Sequence, residues 1–380
     1  MSRLLGYDLS SDGHHHQYNV SVMRHLQRED RYERIGYYTL DADMELVTEL
    51  ADEGVRVCNL PPFRKPSGKK SIWRRTLCLA GMFVYARRHG YDKVHLFHLD
   101  SIILSLLLLF PLAACLRVTG TLHWYPTKRA KRLLFLLLLK LGIVGKVVVH
   151  GNYTHARMLR DGCSERKVAN IHIPYFRRTP AGPPDGQEEI RVALAALKRP
   201  RLLLFGGMRY DKGIDILMAA LSRVKDLEFT VIVAGSEDHF TEADLDRWAA
   251  EYGISDRLYK DIRFIPESVK SQYLDACDAV ILPYRSIFSG ISGPLTEGAA
   301  WRKFVLGPGH GEIGYTIETY GLGDTFEAEN PADLADKLRK LLNRLNRGNS
   351  SPLGLNTASL YTRFIRDEKL FGENYRKFLA

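Results

Sequence analysis

Short apolar runs alternate along this chain with segments whose apolar residues recur at helical spacing. In the first half the pattern predicts strands at 4–8, 55–60, 93–99, 117–124 and 146–150. It predicts helices at 17–27 and 71–89, the latter with Leu77, Gly81, Val84 and Tyr85 near one face. The apolar stretch 101–118 falls short of the roughly 20 residues that a membrane span needs and contains Pro111, so it reads as a buried crossover helix, with a leucine content that also suits shallow membrane contact. Strand and helix in alternation imply a parallel sheet covered by helices on both faces.

The stretch 175–189 interrupts the pattern with Pro180, Gly182, Pro183, Pro184 and Gly186, a linker composition. A second alternating series follows, with strands predicted at 201–205, 229–234, 263–265, 279–282 and 304–306. Leu245, Trp248, Ala249 and Tyr252 fall on one helix face, and Asn330-Pro331 starts a helix carrying Leu334, Leu338, Leu341 and Leu345. A last helix runs to the C-terminus. The expected fold is α/β, two Rossmann-like doubly wound parallel-sheet domains facing a cleft. The first spans 1–180 and the second 187–358, with the C-terminal helix, about 360–380, packing back on the first.

Composition narrows the partners. The 380 residues carry 54 Lys and Arg against 44 Asp and Glu, which suits phosphates or an anionic membrane surface. No RNA-module pattern, zinc-finger spacing or basic tail points to nucleic acid. The five cysteines are scattered without CxxC pairs, and the N-terminus lacks a secretory pattern. Both features fit a cytoplasmic protein with reduced thiols.

Candidate chemistry gathers where predicted strands end. Gly206-Gly207-Met208-Arg209-Tyr210-Asp211-Lys212-Gly213 follows the 201–205 strand and precedes a helix. Two glycines allow close backbone approach, and Arg209 and Lys212 arrive at the ligand-binding edge of a parallel sheet; the set suits a diphosphate. Ser289 to Ala300 follows the 279–282 strand. There Ser292 and Gly293 offer backbone amides, Pro294 fits a first helical turn, and Glu297 can accept hydrogen bonds from a ribose diol. His123 closes the 117–124 strand at the same kind of edge. Gly13 precedes His14-His15-His16. Three consecutive histidines cannot easily converge on one ion, so no metal is expected, and Gly13 reads as a close-approach glycine.

These motifs, in this order, resemble the GT4-type retaining glycosyltransferases of GT-B architecture over nearly the whole chain. Phe205 to Gly213 is similar to that family's donor loop, and Val231 to Gly235 to its next strand and glycine. Ile281-Leu282-Pro283-Tyr284 resembles its strand end, and Ser292 to Ala299 its donor-binding helix. The resemblance implies that Arg209 and Lys212 bind the diphosphate of a nucleotide sugar and act in catalysis. It places His123 near the transferred sugar, Gly207, Ser292, Gly293, Pro294 and Leu295 at the donor, and Glu297 at the ribose; Gly13, from its own position after the first strand, is a further donor-binding candidate. Many members carry two glutamates separated by seven residues, the second matching Glu297; the first would fall at Ser289 here, so sugar binding at that point departs from the pattern.

The implied activity is transfer of a hexose from a nucleotide diphosphate sugar to a hydroxyl of a lipid-linked or surface polysaccharide glycan. No cofactor beyond that co-substrate is expected. The alternatives are a catalytically silent subunit of the same build and a nucleotide-sugar epimerase. Phe63, Lys65, Lys69, Lys70, Trp73, Arg74 and Arg75 have the mixed aromatic and basic character of a membrane contact. The expected location is cytoplasmic, peripheral on the inner face of the plasma membrane. Lys128, Arg129, Lys131 and Arg132, ahead of a leucine run, carry the same signal more weakly.

Overall fold

A computed structural model describes residues 2–9, 14–28, 32–39, 44–59, 72–176, 187–347 and 355–379. The chain divides into two units, Met1–Phe176 with Asp367–Ala380, and Arg177–Arg366.

The first unit holds seven parallel strands: β1 (Ser2–Asp8), β2 (Tyr32–Thr39), β3 (Arg56–Asn59), β4 (Lys93–Leu96), β5 (Arg117–Leu122), β6 (Lys146–Val149) and β7 (Val168–Asn170). Their order is β3-β2-β1-β4-β5-β6-β7. Leu4 of β1 stands opposite Ile35 of β2 on one side and Lys93 of β4 on the other. The second unit holds six: β8 (Arg201–Phe205), β9 (Thr230–Ala234), β10 (Leu258–Asp261), β11 (Ala279–Ile281), β12 (Phe304–Pro308) and β13 (Gly323–Phe326), in the order β10-β9-β8-β11-β12-β13. In each sheet the order reverses beside the unit's first strand, at β1/β4 and at β8/β11. Such a switch point opens a crevice at the strands' carboxyl ends, where ligands of open α/β sheets bind.

Both units are thus doubly wound as the pattern predicts, and every residue of β8 and β9 is buried. Several elements differ from expectation. β2 lacks alternation, since Glu33 and Arg34 are followed by a wholly buried Gly36–Thr39, and periodicity passed over it. The strand expected at 263–265 lies instead at β10, whose four residues are half-buried; Arg263 and Phe264 are exposed. β10, β13 and β7 are edge strands, which pair on one side only and need little apolar pattern.

The stretch 101–118 is not one buried helix. It breaks into the helices Ile103–Leu108 and Phe110–Ala113, with Pro111 in the first turn of the second and Leu108 and Phe110 half-exposed. Helix Ile72–Arg88 buries Leu79, Met82, Phe83 and Ala86, while Leu77 and Val84 of the expected face point to solvent. Apolar residues lie around most of that helix, so spacing alone could not choose its inner side.

The expected last helix is two, Leu355–Arg366 and Glu368–Leu379. Leu355–Arg366 packs on helices Gly293–Ala300 and Gly311–Tyr320 of the second unit. Glu368–Leu379 packs on helix His14–Gln27 of the first, where Phe371 and Tyr375 join its core. Asp367 accepts from the Leu370 N–H and caps the second of the pair.

Candidate functional site

The loops after β8 and β11 meet because their strands are neighbours across the switch point. The Arg285 N–H donates to the Asp211 carbonyl at 2.9 Å. Gly213 adopts φ +63°, and a Cβ there would collide with the Pro283 carbonyl. Only glycine allows that approach. The Arg285 guanidinium ties the loops further. It pairs with both oxygens of Asp215 at 3.0 and 2.6 Å, donates to the Tyr210 carbonyl at 2.7 Å, and lies 4.0 Å over the Tyr210 ring.

Lys212 sits inside this junction, 9% exposed. Its Nζ donates to the Phe205 carbonyl at 3.3 Å, and its partner there is a neutral acceptor rather than a carboxylate. Gly206, at φ +98°, leaves the space that the Nζ occupies; a Cβ would overlap it. Burial, with Arg209 second, draws the Lys212 pKa down to about 8. A desolvated ammonium near a second cation gains strongly from any anion that reaches it. Arg209 is engaged by Asp211 through two bonds of 2.9 and 2.7 Å. An incoming diphosphate must therefore share it with that carboxylate. Gly207 is uncrowded, with Ser236 Oγ 3.5 Å from where its Cβ would stand.

On the β11 side, Ser292 caps helix Gly293–Ala300 by accepting from the Leu295 N–H at 3.3 Å, and its hydroxyl donates to Tyr284 OH at 3.3 Å. Pro294 has no N–H, so of the first three helical amides only Gly293's is left for a ligand. Leu295 presents neither side chain nor amide, being 2% exposed and capped. It supports the helix rather than contacting the edge. Glu297 lies one turn in, buried, and is bonded by the Lys270 Nζ at 2.7 Å. Sequence reasoning passed over Lys270, which arrives from helix Glu267–Ala276 with no motif linking the two. Arg285 and Asp215 were missed as well, though Arg285 directly follows the strand-end residues that drew attention.

At the corresponding edge of the first unit, His123 follows β5. Its Nε2–H donates to the Phe97 carbonyl at 3.0 Å, its N–H reaches Asp100 at 3.3 Å, and its ring stacks on His98 at 4.3 Å. His98 Nδ1 lies 3.6 Å from Asp8 at the end of β1. Burial opposes charge on His98, but the Asp8 and Asp100 carboxylates outweigh it and raise its pKa. His150 is different. Its Nδ1–H donates to the Ile171 carbonyl at 2.7 Å and its Nε2 accepts from Tyr18 OH at 3.0 Å, while burial drives its pKa down to about 3. It is a neutral structural histidine.

Gly13, Phe63, Lys65, Lys69 and Lys70 lie outside the described residues. Trp73 and Arg74 are exposed on the first turn of their helix, whereas Arg75 turns in to bond the Ser101 carbonyl at 3.0 Å. Among the described residues no cluster of three or more metal-ligating side chains occurs.

Residues 199–344, within the second unit, match the family model described as glycosyl transferases group 1. The fold of the chain is the GT-B fold of glycosyltransferases. It is similar to a glycosyltransferase from Rickettsia africae ESF-5, with 16% identity, TM-score 0.69, and 100% of this chain and 99% of that one covered. It is similar to Anabaena Alr3699/HepE, solved with UDP-glucose, at 15% identity and TM-score 0.70 over 100% and 99% of the two chains. Sucrose-phosphate synthase from Thermosynechococcus elongatus superposes at TM-score 0.72 with 16% identity over 100% of both. No curated protein matches the sequence.

Proposed function

We propose that this chain is a retaining glycosyltransferase that moves a hexose from a nucleotide diphosphate sugar to a hydroxyl of a glycan acceptor. The observation that carries this reading is Lys212, a buried ammonium bonded to a carbonyl at the switch point of a group 1 domain. Arg209, Lys212 and the Gly293 amide would stabilise charge growing on the departing diphosphate, the role that fixed donors play best where water is excluded. The donor's own phosphate oxygen would take the acceptor proton on the same face. Glu297 would accept from the ribose hydroxyls while Lys270 holds its carboxylate. His123 would meet the transferred sugar. UDP-hexoses are the first donors to test, because HepE was solved with UDP-glucose.

A lipid-linked acceptor at the cytoplasmic face of a membrane fits the basic, aromatic start of helix Ile72–Arg88. Ser289 supports a second reading, a silent subunit that binds nucleotide without turning it over, because it supplies no carboxylate where many relatives have one.

The test is a donor screen on purified protein, scoring protection from heat and sugar release. A ligand at 100 times its Kd adds about 2.7 kcal/mol to stability, easily seen in a melt. Protection with sugar release supports the transferase. Protection without release, for every donor and acceptor tried, supports the silent subunit. No protection by any nucleoside diphosphate overturns both.

A further inference from the structure

Helices Ile72–Arg88, Ile103–Leu108 and Arg129–Lys140 cover one side of the first sheet. Each drives one face into the same core, through residues such as Phe83, Leu106 and Phe135, and Ile103–Leu108 packs against both of the others. A helix that buries one face ordinarily turns a polar face to water. Here the outer faces are apolar. Trp73 is 71% exposed and Leu77 66%, and Leu104, Leu108, Leu133 and Leu137 are each exposed by 42% or more. They form i, i+4 pairs on the three helices, so each pair occupies one side of its helix. Phe110 and Leu141 extend the surface. Single exposed leucines need no explanation, but such pairs repeated on three helices packed side by side do. The sequence points to residues 63–75 first and to the leucine run after Arg132 more weakly, and reads 101–118 as a buried helix whose leucines also suit shallow membrane contact.

Charge identifies the occupant. Between Glu53 and Asp161 there are 19 Lys and Arg, and the only acids are Asp92 and Asp100. Both acids turn inward, to the Arg3 and His123 amides. Arg74, Lys128, Arg129, Lys131 and Lys140 are exposed on the same helices as the leucines or beside them. A second copy of this face would bring cations against cations. An apolar centre with a cationic border complements a surface that is itself apolar below and anionic above. We infer that these three helices are a docking face for an anionic lipid bilayer, with the leucines and Trp73 entering the headgroup–acyl boundary and the cations meeting the headgroups. The longest of the three helices has 17 residues, so they lie on the bilayer rather than cross it. The inference gives the lipid-linked acceptor of the proposed function a physical basis and rests on that reading for its purpose, though not for its test.

The test is co-sedimentation of the full chain with phosphatidylglycerol–phosphatidylcholine vesicles and with phosphatidylcholine alone. The parent should bind the anionic vesicles and shift its Trp73 fluorescence to the blue, a signal absent in Trp73→Phe. Leu77→Ser, Leu108→Ser and Leu137→Ser together should lower partitioning about 100-fold, since each removes roughly half a leucine's transfer free energy. Arg129→Gln, Lys131→Gln and Lys140→Gln together should cost at least about tenfold on anionic vesicles and little on neutral ones. These side chains are exposed, and melting with and without UDP in the same preparations verifies that fold and nucleotide site survive. A parent that ignores anionic vesicles, or a triple serine variant that binds like the parent, overturns the inference. So does a dimer that the serine changes dissolve in the absence of vesicle binding, which assigns the face to a second copy. Vesicle binding without nucleotide binding would leave the docking face standing and remove the transferase reading; nucleotide binding without vesicle binding would do the reverse.

Discussion

Lys212 gives the sharpest prediction, because one buried charge links ligand affinity, proton uptake and stability. Its folded pKa of about 8 lies below the ordinary lysine value. The sign follows directly. Between pH 8 and 10.5 the unfolded chain holds a proton that the native site has released, so stability rises with pH across that window. Below pH 8 the native state carries the full cost of a desolvated ammonium, about 3 kcal/mol on the pKa difference. Replacing the side chain by Met removes that cost but gives up the hydrogen bond to the Phe205 carbonyl, worth about 1 kcal/mol. Lys212→Met should therefore be more stable than the parent at pH 7, by about 2 kcal/mol, or roughly 4–8 °C in melting temperature for a unit of this size.

The ligand reverses the balance. A diphosphate beside the Nζ raises its pKa, so binding above pH 8 must take up a proton. At pH 8.5 uptake should be about 0.75 proton per UDP, against about 0.1 at pH 7. Calorimetry in buffers of different ionisation enthalpy reads this directly. Lys212→Met should bind UDP at least about tenfold more weakly at pH 7, with no such uptake. If the variant melts at or below the parent, or if uptake at pH 8.5 is near zero, the assignment of Lys212 as the diphosphate's buried cation is wrong.

Other outcomes follow from neighbouring contacts. Asp211→Asn frees Arg209 from its bidentate partner and should tighten UDP about fivefold; unchanged or weaker binding would show that Arg209 does not reach the phosphates. Gly206→Ala should abolish nucleotide protection by displacing the Lys212 Nζ, whereas Gly207→Ala, with its nearest neighbour at 3.5 Å, should reduce it only mildly; equal effects would refute the argument from Cβ space. Glu297→Gln should destabilise the second unit by about 1.5–3 kcal/mol by turning the charge-assisted bond from Lys270 into a neutral one. If Glu297 also binds ribose, a 2′,3′-dideoxy nucleotide should bind the parent poorly and be indifferent to the mutation, and a full dideoxy penalty persisting in Glu297→Gln would exclude the contact. Turnover should survive EDTA if fixed cations and amides stabilise the diphosphate; a strict requirement for Mg²⁺ would refute that arrangement.

The two doubly wound series are legible in the chain alone, because buried central strands such as β8 and β9 must be apolar throughout and helices between them must repeat at 3.6 residues. So are the loops that carry Arg209, Lys212 and Ser292, since cations and glycines directly after such strands can only emerge at the sheet edge. Tertiary structure alone decided the rest. The edge strands β10 and β13 exist because a neighbour supplies their hydrogen bonds, not because of their own pattern. Glu297 is held by a lysine 27 positions earlier, and Arg285 finds Asp215 across 70 positions, pairings that local spacing does not encode. The inner faces of helices Ile72–Arg88 and Arg129–Lys140 were equally illegible. Where apolar residues surround a helix, only packing against the sheet decides which are buried, and the leucines it leaves outside become a surface with a chemistry of its own.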